Sequence, residues 1–352
     1  MAKQRTLDKD RLDRLLKIVA LLLMAAGLIY IINPIVQILL IIFTGILLGV
    51  LINGTSDFLV KKTFLNRGAA LTVVIVLLAL IPSGILWLTG DSIVAQVDKL
   101  SEVIQKSISD IKDYLQGKKW GREVIDNFPG IDRLMDFGSK QLGNITGFLA
   151  SAMNFAMHIV IIVLIAIFLS INPRVYIDNF IILFPRRHRN SVSDLMKSLY
   201  TSLKMWLLGR IISMIVVGIL TLIGYLIIGL PLALLLAIIA AVLSFIPNIG
   251  PILSLLSALP VAFIQGPDKI LYVIIVYFAV QTLESYVITP MVQERAVSLP
   301  PALLFSAQIL LGLVGGGYGL ALATPLLVAA IVVIQVLYVQ NVLGEKIKPL
   351  GH

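Results

Sequence analysis

The chain has 352 residues, of which 59% are hydrophobic and only 13% charged, where a soluble domain carries about 25% charged residues. A mean hydropathy of +1.00 and several apolar runs long enough to cross a hydrocarbon core of about 30 Å exclude a water-soluble fold. Continuous runs rich in Leu, Ile and Ala lack the polar–apolar alternation of a β-barrel, so the fold class is all-α, a polytopic helical membrane protein.

The formal net charge of +9 reads as a topology signal, since Lys and Arg stay on the cytoplasmic side, and no nucleic-acid partner is expected. Lys3, Arg5, Lys9, Arg11, Arg14 and Lys17 precede the first apolar run, Ile18 to Ile32. That run leads through Asn33-Pro34 into a second, Ile35 to Ile52, so it reads as a retained helix and not a cleaved signal. A third span is expected over Ala69 to Leu88, after a turn containing Lys61, Lys62 and Arg67. Residues 1–89 thus form a cytoplasmic N-terminus and three transmembrane helices.

Residues 90–147 carry eight basic and nine acidic side chains and are expected outside. Ile93, Val97, Leu100, Ile104, Ile108, Ile111 and Leu115 recur at spacings of three and four, which describes an amphipathic helix. After Phe128-Pro129-Gly130, a second apolar series from Ile131 to Ile145 suggests an extracytoplasmic helical hairpin, a self-packed cap, subunit contact or exit-path cover. A transmembrane helix over 148–171 follows. Residues 172–210 form a basic linker with seven Lys or Arg against Asp178 and Asp194, expected to be cytoplasmic. Its Leu195, Leu199, Leu203 and Trp206 stripe reads as a helix lying on the bilayer or as an oligomer contact.

Residues 211–352 are more irregular. Clear spans at Ile211 to Ile228 and Ile270 to Thr289 alternate with two over-long apolar blocks, Leu232 to Ile264 and Ala302 to Gln340. In the first block Pro247-Asn248-Ile249-Gly250-Pro251 cannot sit in a continuous helix. Flanking arms of about 21–24 Å imply a re-entrant hairpin or a deeply broken helix around protein or water. The second block is interrupted at Gly312, Gly315, Gly316, Gly317 and Gly319, a close-packing hinge. Basic ends, including Lys346 and Lys348, place both termini in the cytoplasm and require an even number of crossings.

A charge at the centre of a bilayer costs roughly 2.5–3.5 kcal/mol or more, so ionisable groups inside spans are informative. Glu284 is the one acid within a clear span, with Gln281 three residues earlier on the same helical face. It reads as a proton- or cation-coupling group or a substrate-binding carboxylate, or else as a structural hydrogen-bond anchor. Arg210, at the mouth of the Ile211 span, is the nearby cation, with snorkelling as the alternative. Backbone groups released around Pro247, Asn248, Gly250 and Pro251 could hold an ion or polar solute. His158 reads as a hydrogen-bonded core histidine.

The chain contains no cysteine, which excludes disulfides, thiolate nucleophiles and Cys-ligated metal. His158, His188 and His352 lack a metal-motif spacing, and no phosphate loop, His-Glu-x-x-His or Gly-x-Ser-x-Gly occurs. No cofactor, metal or enzymatic activity is expected. A secondary transporter or channel remains.

Phe245-Ile-Pro-Asn-Ile-Gly-Pro251, Gln281-Thr-Leu-Glu284-Ser-Tyr286 with Thr289-Pro290, Val297-Ser-Leu-Pro300, and Gly317-Tyr-Gly319 through Thr324-Pro325 resemble, in order and spacing, the autoinducer-2 exporter family of bacterial and archaeal permeases. The resemblance implies a secondary transporter in the cytoplasmic membrane, with Glu284 and the break at Pro247 to Pro251 lining the transport region. It implies export of a small polar molecule such as the quorum-sensing signal autoinducer-2, or exchange of sodium or potassium for protons. The readings that stand are therefore a small-solute exporter working by alternating access, a monovalent cation/proton antiporter, and a scaffold that binds a partner through its outer helices. The amphipathic stripes make a homo-oligomer plausible.

Overall fold

The computed structural model describes residues 34–116, 145–288, 290 and 299–344. The expected span Ile18 to Ile32, the apolar series after Phe128 and both basic termini lie outside them. The described residues form helices and no strands.

Helix α1 spans Pro34–Lys62, and α2 runs over Arg67–Gln116 from a cap in which Asn66 Oδ1 accepts the Ala69 amide at 2.8 Å. At about 1.5 Å per residue α2 is about 75 Å long. It passes through residues 89 and 90 without a break, so the expected span and the amphipathic helix beyond it are one rod. Helix α3, Ile145–Ile171, is followed at Asn172 by α4, Pro173–Ile182, bent 84° from it. Proline at the first position of α4 suits a new helix start, where its missing amide proton costs nothing.

Helix α5, Arg189–Ile227, is the central pillar. It buries Leu195, Leu203 and Trp206, which corrects the expectation that this stripe lies on the bilayer: its apolar face packs against the chain's own helices. The chain continues through α6, Ala233–Leu243, α7, Ile249–Gln265, and α8, Pro267–Leu283. Helix α8 widens into a π-helical turn over Glu284–Ile288. Helix α9 covers Pro301–Val333 with a non-helical residue, Gly316, inside it. Among the described residues, four helical stretches are long and apolar enough to cross a membrane: α1, Arg186–Ile227, Pro267–Ile288 and Pro301–Gln340. The bent α3–α4 pair supplies a possible fifth.

The α6–α7 pair is a helical hairpin. Leu230, Ala233 and Leu236 at its start share one apolar cluster with Ala258, Val261 and Ala262 near its end, together with Tyr225 of α5 and Leu100 and Val103 of α2. Its tip, in contrast, packs Phe245 edge-on against Trp206, with ring centroids 5.7 Å apart. Trp206 lies nineteen residues before Tyr225 on α5, or roughly 28 Å along the helix axis. The pair therefore enters and leaves at one end and reaches deep towards the other. The α2 segment around Leu100 and Val103 covers the open end of this hairpin instead of standing free.

Helix α9 folds back on itself in the opposite direction. A Cβ at Gly319 would overlap the carbonyl of Leu311, eight residues earlier, a separation of about 12 Å in a straight helix. Gly315 at this tip abuts Leu40 of α1. Val332, at the end of the returning arm, packs with Leu195 near the start of α5. Helices α1 and α5 are antiparallel, since Asp57 meets Tyr200 and Gly54 meets Lys204. Leu40 therefore projects away from the Leu195 end, and the second tip points opposite to the first.

Candidate functional site

The first hairpin tip is made by proline. Pro251 has no amide proton, so the carbonyl of Pro247 lacks its donor four residues on. The side-chain amide of Gln308, on the outgoing arm of α9, donates to that oxygen at 2.8 Å. Phe245 O, beyond the end of α6, accepts Nε of Arg210 at 3.2 Å. A Cβ at Gly250 would run into the Leu243 carbonyl, so glycine is what lets the two arms cross at backbone contact. Asn248 takes a positive φ of 65°, a conformation costing on the order of 1–3 kcal/mol for a non-glycine residue.

The same Arg210 reaches Glu284. Its Nη1 lies 3.2 Å from Glu284 Oε1, with both side chains buried. Ser213 Oγ donates to Oε1 at 2.8 Å, and Gln281 Nε2 donates to Oε2 at 2.9 Å. Carrying two charges into an apolar interior is costly, and extra hydrogen bonds of this kind offset the desolvation. The π-helical turn beginning at Glu284 is a local departure of the sort often found where a side chain is placed for function. A continuous polar line thus runs Gln281–Glu284–Arg210–Phe245 O, and two residues on the Pro247 carbonyl, which also accepts the Ile249 amide at 2.7 Å, binds the second hairpin through Gln308.

Of the residues singled out from the sequence, Glu284, Gln281 and Arg210 come together, and Pro247, Gly250 and Pro251 form the tip they hold. Asn248 is exposed at that tip. Gly315, Gly316, Gly317 and Gly319 build the other tip, where Gly316 has a φ of 58°. There Tyr318 OH lies 3.1 Å from His158 Nδ1 of α3, so His158 is hydrogen-bonded as expected but half-buried instead of in the core. Sequence reasoning missed Ser213 and Gln308. Ser213 follows Arg210 by one helical turn and shares its face, and Gln308 is an amide within an apolar run, so each left a usable signal. Gln308 Oε1 and Thr324 Oγ1, both buried on the second hairpin, have no hydrogen-bond partner. No group of three or more metal-ligating side chains occurs among the described residues.

The family profile described as AI-2E family transporter matches residues 18–339. Among curated proteins the chain is 34% identical over 143 residues to "Putative transport protein YueF" of Bacillus subtilis (strain 168), covering 41% of this chain and 39% of that protein. It is 21% identical over 327 residues to "Putative transport protein YhhT" of Escherichia coli (strain K12), covering 91% and 89%. A "Putative transport protein" of Thermotoga maritima matches at 26% over 54% of this chain and 56% of its own length. The match to the Bacillus protein thus spans less than half of that protein. The profile match over nearly the whole chain shows that this protein belongs to the AI-2E family of membrane transporters.

Proposed function

We propose that the protein is a secondary transporter that exports small polar molecules such as autoinducer-2 by alternating access around its two opposed hairpins, with Glu284 as the proton-coupling group. The observation that carries this reading is the line from Glu284 through Arg210 to Phe245 O at the first tip. Protonating Glu284 removes the counter-charge of Arg210, so the guanidinium that holds the tip loses half of its fixed partners. A change at one carboxyl is thereby passed to the element that closes the transport region, and Gln308 passes it on to the second hairpin. Such broken elements with freed backbone groups are what transporters use to bind polar cargo. In this reading residues 211–352 are the transport region, and the protein sits in a prokaryotic cytoplasmic membrane, as a homo-oligomer, with both termini inside.

Proteoliposomes with an imposed pH gradient test it: Glu284→Gln should abolish gradient-driven efflux of autoinducer-2, and wild-type rates at every pH would refute the coupling role. Monovalent cation/proton antiport is the second reading, favoured by the pairing of the buried carboxylate with a cation that a sodium or potassium ion could replace. Cation-induced dequenching of a pH dye in everted vesicles distinguishes the two.

A further inference from the structure

Between α5, the first hairpin and α8 lies a cavity of about 20 Å³, lined by Thr221 and Tyr225 of α5, Ser244, Pro251 and Ser254 of the hairpin, and Tyr277 and Gln281 of α8, with apolar side chains between them. From this we infer that the cavity is a water chamber that delivers protons to Glu284. The inference rests on the coupling role proposed for Glu284.

Size selects the occupant. A cavity needs about 10–15 Å³ to hold one water, so this one has room for a water, whereas solute pockets run to about 300 Å³ and more. Chemistry selects it too. Thr221, Tyr225, Ser244 and Ser254 are buried, although an unsatisfied hydroxyl in apolar surroundings costs roughly 1–3 kcal/mol. Ser244 and Ser254 donate to the carbonyls of Ala241 and Pro251, each at 3.0 Å. Each hydroxyl oxygen still has acceptor capacity towards a water.

The chamber lies between Tyr225 and Gln281. At one end Tyr225 shares the cluster containing Leu100 and Val103 of α2. At the other, Gln281 both lines the cavity and donates to Glu284 Oε2. On α5, Tyr225, Thr221, Val217 and Ser213 follow at intervals of four residues, which puts them on one face, and Ser213 donates to Oε1. Among the described residues, the charged and titratable groups around the carboxylate are Arg210 of α5 and, two turns away along α8, Tyr277. The hairpin contributes only neutral groups to the cavity wall. Gln281 stands between the cavity and Glu284 Oε2, so the transfer takes place as its side chain turns aside: a hydronium in the chamber gives its proton to a Glu284 oxygen, leaving water and a neutral carboxyl, while Arg210 keeps its charge.

Infrared difference spectroscopy on the full chain in lipid tests this, with the Glu284 carboxyl band assigned by its absence in Glu284→Gln. After a pH jump the wild-type band should respond, and Thr221→Val with Ser254→Ala, which keep side-chain shape, should slow that response about tenfold. Ala240→Leu, which fills the cavity from α6, should slow it as well. A responsive wild type with unslowed variants would overturn the chamber and leave the coupling role standing. A wild-type band unmoved between acid and alkaline buffer would overturn both.

Discussion

The two hairpins solve the same geometric problem with different chemistry. Each crosses its arms at a glycine, Gly250 against Leu243 and Gly319 against Leu311. The first tip is then held at two freed carbonyls by Arg210 and Gln308, and Arg210 is itself paired with the buried Glu284. The second tip rests on apolar packing against Leu40 and on the Tyr318–His158 contact. One tip is therefore wired to a carboxylate and the other is not. Glu284 is thus joined to the first hairpin by hydrogen bonds, whereas the second is reached through Gln308 and through the apolar packing of Leu203, Trp206 and Leu207 of α5 against Leu322 and Val328 of α9.

The largest effect should come from breaking the ion pair on one side. Glu284→Leu leaves Arg210 buried and unpaired and should destabilise the protein by about 3–5 kcal/mol, read by thermal unfolding in detergent. Adding Arg210→Met should recover much of the loss, because a buried pair replaced on both sides is often neutral. No recovery would mean that Arg210 is needed mainly for the Phe245 carbonyl.

The crossing points come next. Gly250→Ala and Gly319→Ala each push a methyl into a backbone carbonyl that cannot swing aside, with an expected loss of about 1–3 kcal/mol. Transport should fall in both variants, so this pair shows the tips to be mechanically alike. If one substitution is silent, that tip opens more widely than its geometry indicates.

Gln308→Leu removes one of the two donors to the Pro247 carbonyl, which keeps the Ile249 amide at 2.7 Å, at a cost of about 1.5 kcal/mol. It should separate the hairpins functionally: pH dependence of the first tip persists while net transport falls. Tyr318→Phe should cost least, about 0.5–1.5 kcal/mol for one hydrogen bond, and should leave the pH profile of transport unchanged. A shifted profile would show that the second tip, through His158, also senses protons.

Much of this was legible in the sequence because apolar runs, proline pairs and a lone intramembrane acid carry their meaning locally. The break at Pro247 to Pro251, the glycine hinge, and the shared face of Gln281 and Glu284 are all found where their spacing puts them. What the sequence hides is pairing at a distance. Arg210 meets Glu284 across 74 positions, and Gln308 meets Pro247 across 61, and no periodicity encodes either. The Leu195 to Trp206 stripe was misleading for a related reason: a face buried against other helices and a face lying in lipid have the same spacing. The continuity of α2 was hidden because a change from uniform to one-sided hydrophobicity need not break a helix.

Protonation of Glu284 is expected to move the first hairpin tip. The chain has no cysteine, so spin labels can be placed at Asn248→Cys, exposed at that tip, and Phe58→Cys, exposed on α1, without altering a native thiol. Pulsed electron paramagnetic resonance on the doubly labelled protein in lipid should show a label–label distance that changes between acid and alkaline buffer, and the same chain carrying Glu284→Gln should show one fixed distribution. A pH-dependent shift of equal size in both proteins would contradict this expectation.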